Sequence, residues 1–300
     1  MASFQDQWIK FMTHDGKFRG TLAVVSGVLQ ELIVRHDLWP TTAAALGRSL
    51  AGGALLVGLL KDDQRLALKF EGNGPIRKIL VEASHHDGTL RATVGNPHVD
   101  LRTPDGQFDV AKALGRTGWL TVTKDLGLRS PYVGTVALVS GEIGEDLAFY
   151  LADSEQIPSA VSVGTTLFPD GTALAGGFLL QAMPPVDERL VEQTMERLGK
   201  LPGATALLAQ ATTLENIVHA LLGNHAFELL EQRNLHFACS CSREKIEQIL
   251  LSLGKSELEK MANTGENIRV RCEFCLQEYV FASEDVRRIA LAVNTPGAQA

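Results

Sequence analysis

No cysteine occurs before residue 239, and only four follow: Cys239, Cys241, Cys272 and Cys275. Nothing of comparable chemical specificity occurs elsewhere in the chain, so its chemistry centres on this end. An excess of basic residues is also missing. Lys and Arg number 28 against 35 Asp and Glu, for a formal net charge of −7, and residues 234–300 hold eight Lys/Arg against nine Asp/Glu. A polyanion would meet no attractive field there, which excludes a nucleic-acid partner as the expectation. No secretion signal is expected, because Met1 to Lys10 carries Asp6 and Lys10 instead of a basic start followed by an apolar run. A cytoplasmic protein is expected. The most apolar stretch, Ala43 to Leu60, is interrupted by Arg48, Ser49 and four glycines. A charge near mid-bilayer costs about 2.5 kcal/mol or more, so this segment reads as a buried core helix and no membrane partner is expected. The chain also lacks a G-x-S-x-G elbow, a P-loop and a strand-to-helix G-x-G-x-x-G, so no enzyme of those classes is indicated.

What is present is a 300-residue chain, 45% hydrophobic and 21% charged, enough for one large globular domain and a smaller appendage. Its first half alternates with period two over Arg65 to Glu71, Ile76 to Ala83, Leu90 to Val94, Trp119 to Lys124 and Tyr132 to Val139. The breakers Gly72-Asn73-Gly74-Pro75, Asp87-Gly88 and Asn96-Pro97 fall between these runs, and the middle one signals a hairpin. Strands over Ala160 to Val163 and Ala173 to Gln181 would complete the same sheet, with Gly171 and Gly176-Gly177 as turn or bulge positions. The fold class is α+β: a mostly antiparallel sheet core domain with packed helices over 1–183, a helical linker over 184–233, and a small C-terminal zinc-binding domain over 234–300.

The linker begins at Pro184-Pro185. Asp187 to Leu198 is amphipathic and closes at Gly199, and Leu214, Ile217, Val218, Leu221 and Leu222 fall at i, i+3, i+4, i+7 and i+8. Such helices need a neighbour to cover their apolar faces. In the tail, Ser242 is positioned to cap a helix ending near Leu253 and Gly254. Ser256 with Glu259 reads as the capping box of a second helix, and Ser283 starts a last one. Between them, Ile268 and Val270 pair with a return strand carrying Tyr279 and Phe281, with Cys272-Glu273-Phe274-Cys275 as the knuckle. Fewer than about seventy residues with so few large apolar side chains usually need a metal or a crosslink.

C-x-C and C-x-x-C, thirty residues apart, supply four thiolates to one tetrahedral zinc ion. Three readings follow. Zinc can be a permanent staple in a zinc-ribbon module that binds a partner. It can be one state of a redox switch, since zinc-bound thiolates remain nucleophilic and each has a near partner for a disulfide. Or Cys272 and Cys275 can act as a thiol oxidoreductase pair, although a hairpin is not the strand-to-helix context of such enzymes. Lesser candidates are His236 as a substitute ligand, His85-His86 as a solvated pair beside a turn, and Asp153 with Glu155 as a cap or solvated loop.

The segment His236-Phe237-Ala238-Cys239-Ser240-Cys241-Ser242, a helix, and then Cys272-Glu273-Phe274-Cys275 resembles the zinc centre of the redox-regulated bacterial chaperone heat-shock protein 33. Agreement extends to Gly118-Trp119-Leu120-Thr121-Val122-Thr123-Lys124-Asp125, to Tyr150 through Ser154-Glu155-Gln156-Ile157-Pro158-Ser159, and to Gly176-Gly177 through Gln181 and Pro184. The resemblance implies an ATP-independent holdase, not an enzyme, inactive when reduced with Zn2+ on Cys239, Cys241, Cys272 and Cys275. It further implies that oxidation pairs Cys239 with Cys241 and Cys272 with Cys275, releases zinc, and unfolds the C-terminal region. The activated family members form homodimers and hold unfolding client proteins. The stripe Leu214, Ile217, Val218, Leu221 and Leu222 is then a candidate latent client-binding surface.

Overall fold

The structure is a computed structural model and describes residues 4–61 and 63–292. It divides into two compact units, 1–238 and 239–300. In chain order the first unit contains β1 (Gln7–Thr13), β2 (Phe18–Val24), α1 (Ser26–His36), α2 (Pro40–Val57), β3 (Arg65–Gly72), β4 (Lys78–Ser84), β5 (Thr89–Val94) and α3 (Val110–Leu114). It continues with β6 (Gly118–Asp125), β7 (Tyr132–Ala137), α4 (Ile143–Asp153), β8 (Ser159–Leu167), β9 (Ala173–Ala182), α5 (Glu188–Leu198), α6 (Ala204–Gln210), α7 (Leu214–Leu222), β10 (Phe227–Asn234) and β11 (His236–Phe237).

The helix expected over Ala43 to Leu60 explains the architecture. α2 has no polar face: Ala, Gly and Leu surround it, and all but two of its residues are buried. A helix that is apolar all round must be covered all round. Here it lies between two sheets, against β2, β8 and β9 on one side and β3, β4 and β5 on the other. Among its few polar groups, Ser49 Oγ donates to the Ala45 carbonyl, and Arg48 pairs with Glu142. Its glycines set the spacing, since a Cβ at Gly52 would meet Leu147 Cδ1 at 2.4 Å and one at Gly47 would meet Thr165 Oγ1 at 2.4 Å. The apolar length comes from the middle of a sandwich. No helix among the described residues is long and apolar enough to cross a membrane.

One sheet has the order β10-β1-β2-β9-β8 and the other β11-β5-β4-β3-β6-β7. The strands expected from alternation are present, and Gly88, at φ +68°, completes the β4–β5 hairpin. The single meandering sheet is corrected to two: β8 and β9 join β1 and β2, because one sheet covers only half of α2. Gly171 sits in a turn at φ +84°, but Gly176 and Gly177 lie within β9 rather than at a bulge. There they admit close backbone, with a Cβ at Gly176 falling 2.4 Å from the Ala23 carbonyl oxygen. Gly16, at φ +68°, supplies the turn of the β1–β2 hairpin.

The second face of the β10-β1-β2-β9-β8 sheet is covered by the helices of the 184–233 segment. Ile9, Phe11, Leu22 and Phe178 from the sheet form one core with Leu207 and Leu208 of α6 and with Leu214, Ile217, Val218, Leu221 and Leu222 of α7. Thr213 and Asn216 form the capping box that starts α7. The end of this segment is not helical: Phe227 to Asn234 is β10, antiparallel to β1. It lies at the edge of its sheet, half-buried and exposed residues alternate from Leu230 to Asn234, and pairing with β1 overrides the helical reading. β11 then adds two residues parallel to β5, so the last stretch of the unit borders both sheets in turn.

His85 and His86 part company. His86 is exposed, whereas His85 is 2% exposed, its ring tilted against Trp8 with centroids 5.2 Å apart and its Nε2 3.4 Å from Glu231 of β10. The solvated pair is therefore corrected for His85, which the β10 strand covers. Glu155 is also more than a solvated loop residue, being paired with Lys124 in a largely buried position.

The second unit contains α8 (Arg243–Leu251), α9 (Lys255–Asn263), β12 (Ile268–Arg271), β13 (Glu278–Phe281) and α10 (Ser283–Ala292). Ser242 caps α8 by accepting from the Lys245 amide at 3.3 Å. The expected Ser256/Glu259 capping box does not form. Gly254, at φ +84°, is the residue before α9, and Ser256 lies inside the helix with no side-chain cap. Eight buried apolar residues form the core: Ile246, Leu250, Leu258, Ala262, Phe281, Val286, Ile289 and Ala290. Three short helices thus enclose a small core around one hairpin, and α9 and α10 supply five of its eight residues.

Candidate metal centre

Two short segments bring the thiols together. Cys239 and Cys241 immediately precede α8, whose start is fixed by the Ser242 cap. Cys272 and Cys275 occupy the turn between β12 and β13, which pair Ile268 with Phe281 and Val270 with Tyr279. The Cys272 amide donates to the Gln277 carbonyl at 3.0 Å, and the Leu276 amide donates to the Cys272 carbonyl at 3.0 Å. Leu276 closes the turn in the left-handed region at φ +61°. This conformation costs a residue with a Cβ roughly 1–2 kcal/mol, which the knuckle's hydrogen bonds offset.

All four sulfurs lie within 4.8 Å of one another, and none is in a disulfide. Cys239 Sγ is 3.7 Å from Cys272 Sγ, and Cys241 Sγ is 3.2 Å from Cys275 Sγ. A tetrahedron of sulfurs about 2.3 Å from a central ion has edges of about 3.8 Å. One edge matches that length, the other is shorter, and all remain within a range that one ion can gather. The donor set of four half-buried thiols therefore fits a single ion that accepts soft ligands.

The electrostatics point the same way. Burial, followed by hydrogen bonds from the neighbouring thiols, pushes the Cys275 thiol up to about 12, although the Gln277 amide works in the opposite direction. Four thiolates at this separation are mutually repulsive, and a divalent cation among them removes that repulsion. Tyr279 Oη donates to Cys241 Sγ at 3.2 Å, and this bond, then burial and then the charge of the thiols, pushes the phenol up to about 12.

Arg243, two residues beyond Cys241, binds the C-x-C segment to the hairpin. Its guanidinium donates to the Val280 carbonyl at 2.8 Å, pairs with Asp285 at 2.9 Å and stacks 4.2 Å from the Phe281 ring centroid. Sequence reasoning missed both the Tyr279 hydroxyl contact and this arginine. The alternation of β13 marked Tyr279 as a strand residue and nothing more. His236 is not in the thiol cluster; it lies in β11 of the first unit. The stripe from Leu214 to Leu222 is not a surface in this structure, since each of its five residues is buried beneath α7 on the sheet. Asp153, at the end of α4, and Glu155, paired with Lys124, form no cluster with the thiols.

A two-sheet α+β body followed by a compact unit with four clustered cysteines defines a class of proteins in which a candidate metal centre is carried on an appended module. The comparisons identify which. The family model for Hsp33 protein matches residues 6–282. The 33 kDa chaperonin of Geobacter sp. (strain M21) is 48% identical over 285 residues, covering 95% of this chain and 96% of that protein. The 33 kDa chaperonin of Bacillus cereus (strain AH187) is 43% identical over 287 residues, covering 95% and 98%. The crystal structure of the 33 kDa chaperonin of Thermotoga maritima, a heat shock protein 33 homolog, superposes with a TM-score of 0.87 at 36% identity, covering 96% of this chain and 99% of that one. The chain belongs to the Hsp33 family.

Proposed function

We propose that this protein is a cytoplasmic, ATP-independent holdase chaperone under redox control, latent while Cys239, Cys241, Cys272 and Cys275 are reduced and hold one Zn2+. The observation that carries this reading is the gathering of four half-buried thiols within 4.8 Å in a unit whose own core is eight residues. When bound, zinc crosslinks two segments thirty residues apart and neutralises thiolates that otherwise repel. Everything else is done by the chain. Oxidation by a peroxide converts two thiols into one disulfide and the peroxide into two molecules of water, and a sulfur in a disulfide no longer serves as a thiolate ligand. Pairing Cys239 with Cys241 and Cys272 with Cys275 uses up all four ligands at once. Disulfides that close loops of one and two intervening residues restrict the unfolded chain little, so they do not replace the lost crosslink. The 234–300 domain then unfolds, and the 184–233 linker loses stability with it.

The client surface in this reading is the α7 stripe with its sheet partners. It is covered in the reduced form and becomes available when the linker helices lift from the core domain over 1–183. Clients are unfolded or partly unfolded proteins, and activated subunits associate as homodimers. Neither nucleic acid nor membrane is a partner, as the acidic balance supports.

The test treats the zinc-loaded, reduced full chain with hydrogen peroxide at mildly destabilising temperature. Zinc release, intramolecular disulfides and suppression of a thermally unfolding client's aggregation are followed together. Coincident changes are expected. Zinc retained under peroxide, or zinc lost with no gain in anti-aggregation activity, would leave a module with a purely structural zinc as the better account.

A further inference from the structure

Tyr279 is placed by the β12–β13 register opposite Val270, on the strand that leaves the cysteine knuckle. Its ring is half-buried, and its hydroxyl points at one particular sulfur, Cys241 Sγ, at 3.2 Å. Cys241 comes from the other segment of the centre, 38 residues earlier in the chain. The contact therefore joins the C-x-C segment to the hairpin independently of any metal. An aromatic ring alone would fill this position and pair with Val270 equally well. The hydroxyl adds only one thing, a proton directed at a sulfur lone pair.

A donor to a metal-binding thiolate withdraws electron density from the sulfur and fixes its direction. Both effects bear on the same lone pairs that attack an oxidant. In the oxidation considered above, a cysteine thiolate attacks one peroxide oxygen, the O–O bond breaks and hydroxide leaves, giving a sulfenic acid. The neighbouring thiolate then attacks that sulfur, the S–O bond breaks, and hydroxide leaves and is protonated to water. A sulfur whose lone pair is already engaged by a phenol enters the first step more slowly.

Resting on the redox reading, we propose that Tyr279 is a positioning residue that guards Cys241: its hydroxyl holds the Cys241 sulfur in the ligand geometry and slows attack of that sulfur on peroxide. The switch then has an internal asymmetry. Oxidation at the C-x-C pair is delayed by a side chain carried on the C-x-x-C hairpin, so Cys241 loses its protection when the hairpin comes apart.

The decisive variant is Tyr279→Phe, which keeps the ring and its pairing with Val270 and removes only the donor. Arg269→Ala serves as the control, because it removes the Arg269–Glu278 pair of the same hairpin at 2.7 Å without touching a sulfur. Zinc affinity of the reduced full chain is measured by competition with a chromogenic chelator. Peroxide oxidation is quenched at intervals with an alkylating reagent, and each cysteine is quantified by mass spectrometry. Tyr279→Phe is expected to bind zinc about tenfold more weakly and to oxidise Cys241 roughly threefold to tenfold faster, while Cys272 changes less than about twofold. An unchanged Cys241 rate overturns the proposal. So does an equal acceleration at all four cysteines matching Arg269→Ala, since that is loosening of the hairpin. The redox reading fails separately: if oxidised wild type does not suppress client aggregation while Cys241 alone accelerates in Tyr279→Phe, the guard stands and the chaperone switch does not.

Discussion

At the scale of single residues, the metal centre divides its labour unequally. Cys272 lies within the knuckle, where its amide and carbonyl both hold the turn, so its sulfur is placed by backbone. Replacing it by serine leaves those bonds but removes a soft ligand. Cys272→Ser is expected to weaken zinc binding by at least roughly tenfold and to make the second unit protease-sensitive even in reductant; zinc content and digestion pattern equal to wild type would contradict this. A second residue, Asp146, contributes to the acid behaviour of the first unit. It is fully buried and accepts from the amides of Val139 at 2.8 Å and Ser140 at 3.1 Å. Burial nevertheless raises its pKa, with those amides opposing. The native state therefore binds a proton at a pH where the unfolded chain has released it, so this group adds stability as pH falls through its raised folded value toward the ordinary carboxylate value, and that addition is lost as pH rises. Thermal melts of wild type and Asp146→Asn between neutral pH and mild acid should show the wild type gaining relative to the variant on acidification. A constant difference between the two would refute it.

At the scale of elements, α7 is the one whose position matters most. Its five apolar residues face Phe11, Leu22 and Phe178 of the sheet and are the largest apolar contribution of the 184–233 segment to that core. Ile217 is 1% exposed. Ile217→Asp buries a carboxylate with no cation beside it, a change that costs about 3–5 kcal/mol when uncompensated. The expected result is rapid hydrogen exchange across 204–222 with β1 and β2 still protected, together with client protection in the absence of oxidant. Slow exchange across α7 in the variant, or loss of the whole first unit, would argue against a separable helical layer. The same scale shows where sequence patterns were informative. The i, i+3, i+4 stripe of α7 and the period-two runs of β3, β4 and β6 are properties of one element and its two faces, so they were legible. The β10 strand was not, because an edge strand beginning after Gly223-Asn224 has the composition of a helix end and becomes a strand only by pairing with β1.

At the scale of the whole molecule, each unit has its own core. The first unit closes two sheets on α2 and lays helices over the outer face of one of them. The second has eight buried apolar residues and a four-thiol centre. In the proposed reading a small core and a metal crosslink together hold the second unit. Chelating zinc from the reduced protein should therefore unfold residues 239–292 and loosen the 184–233 helices, leaving the two sheets around α2 intact. Calorimetry should resolve a metal-dependent transition and one for the sheet core that is unaffected, and protease cleavage should be confined to residues after 183. A single transition shifting as a whole would show that the two units fold as one.

The sequence by itself determined which four cysteines are candidate ligands, the alternation of the strands, the apolar length of α2 and the family, because each is written in residue type and local spacing. Only the tertiary structure decided that there are two sheets, that His85 is buried beneath β10, that residues 227–234 are a strand, and that the Tyr279 hydroxyl reaches Cys241. The physical reason is common to all four. Each depends on which surface meets which across many residues of chain, and burial, edge pairing and a single hydrogen bond across 38 residues leave no periodic trace in the sequence. The four cysteines announced a candidate metal centre, and the fold supplied the neighbours that distinguish one of its sulfurs from the others.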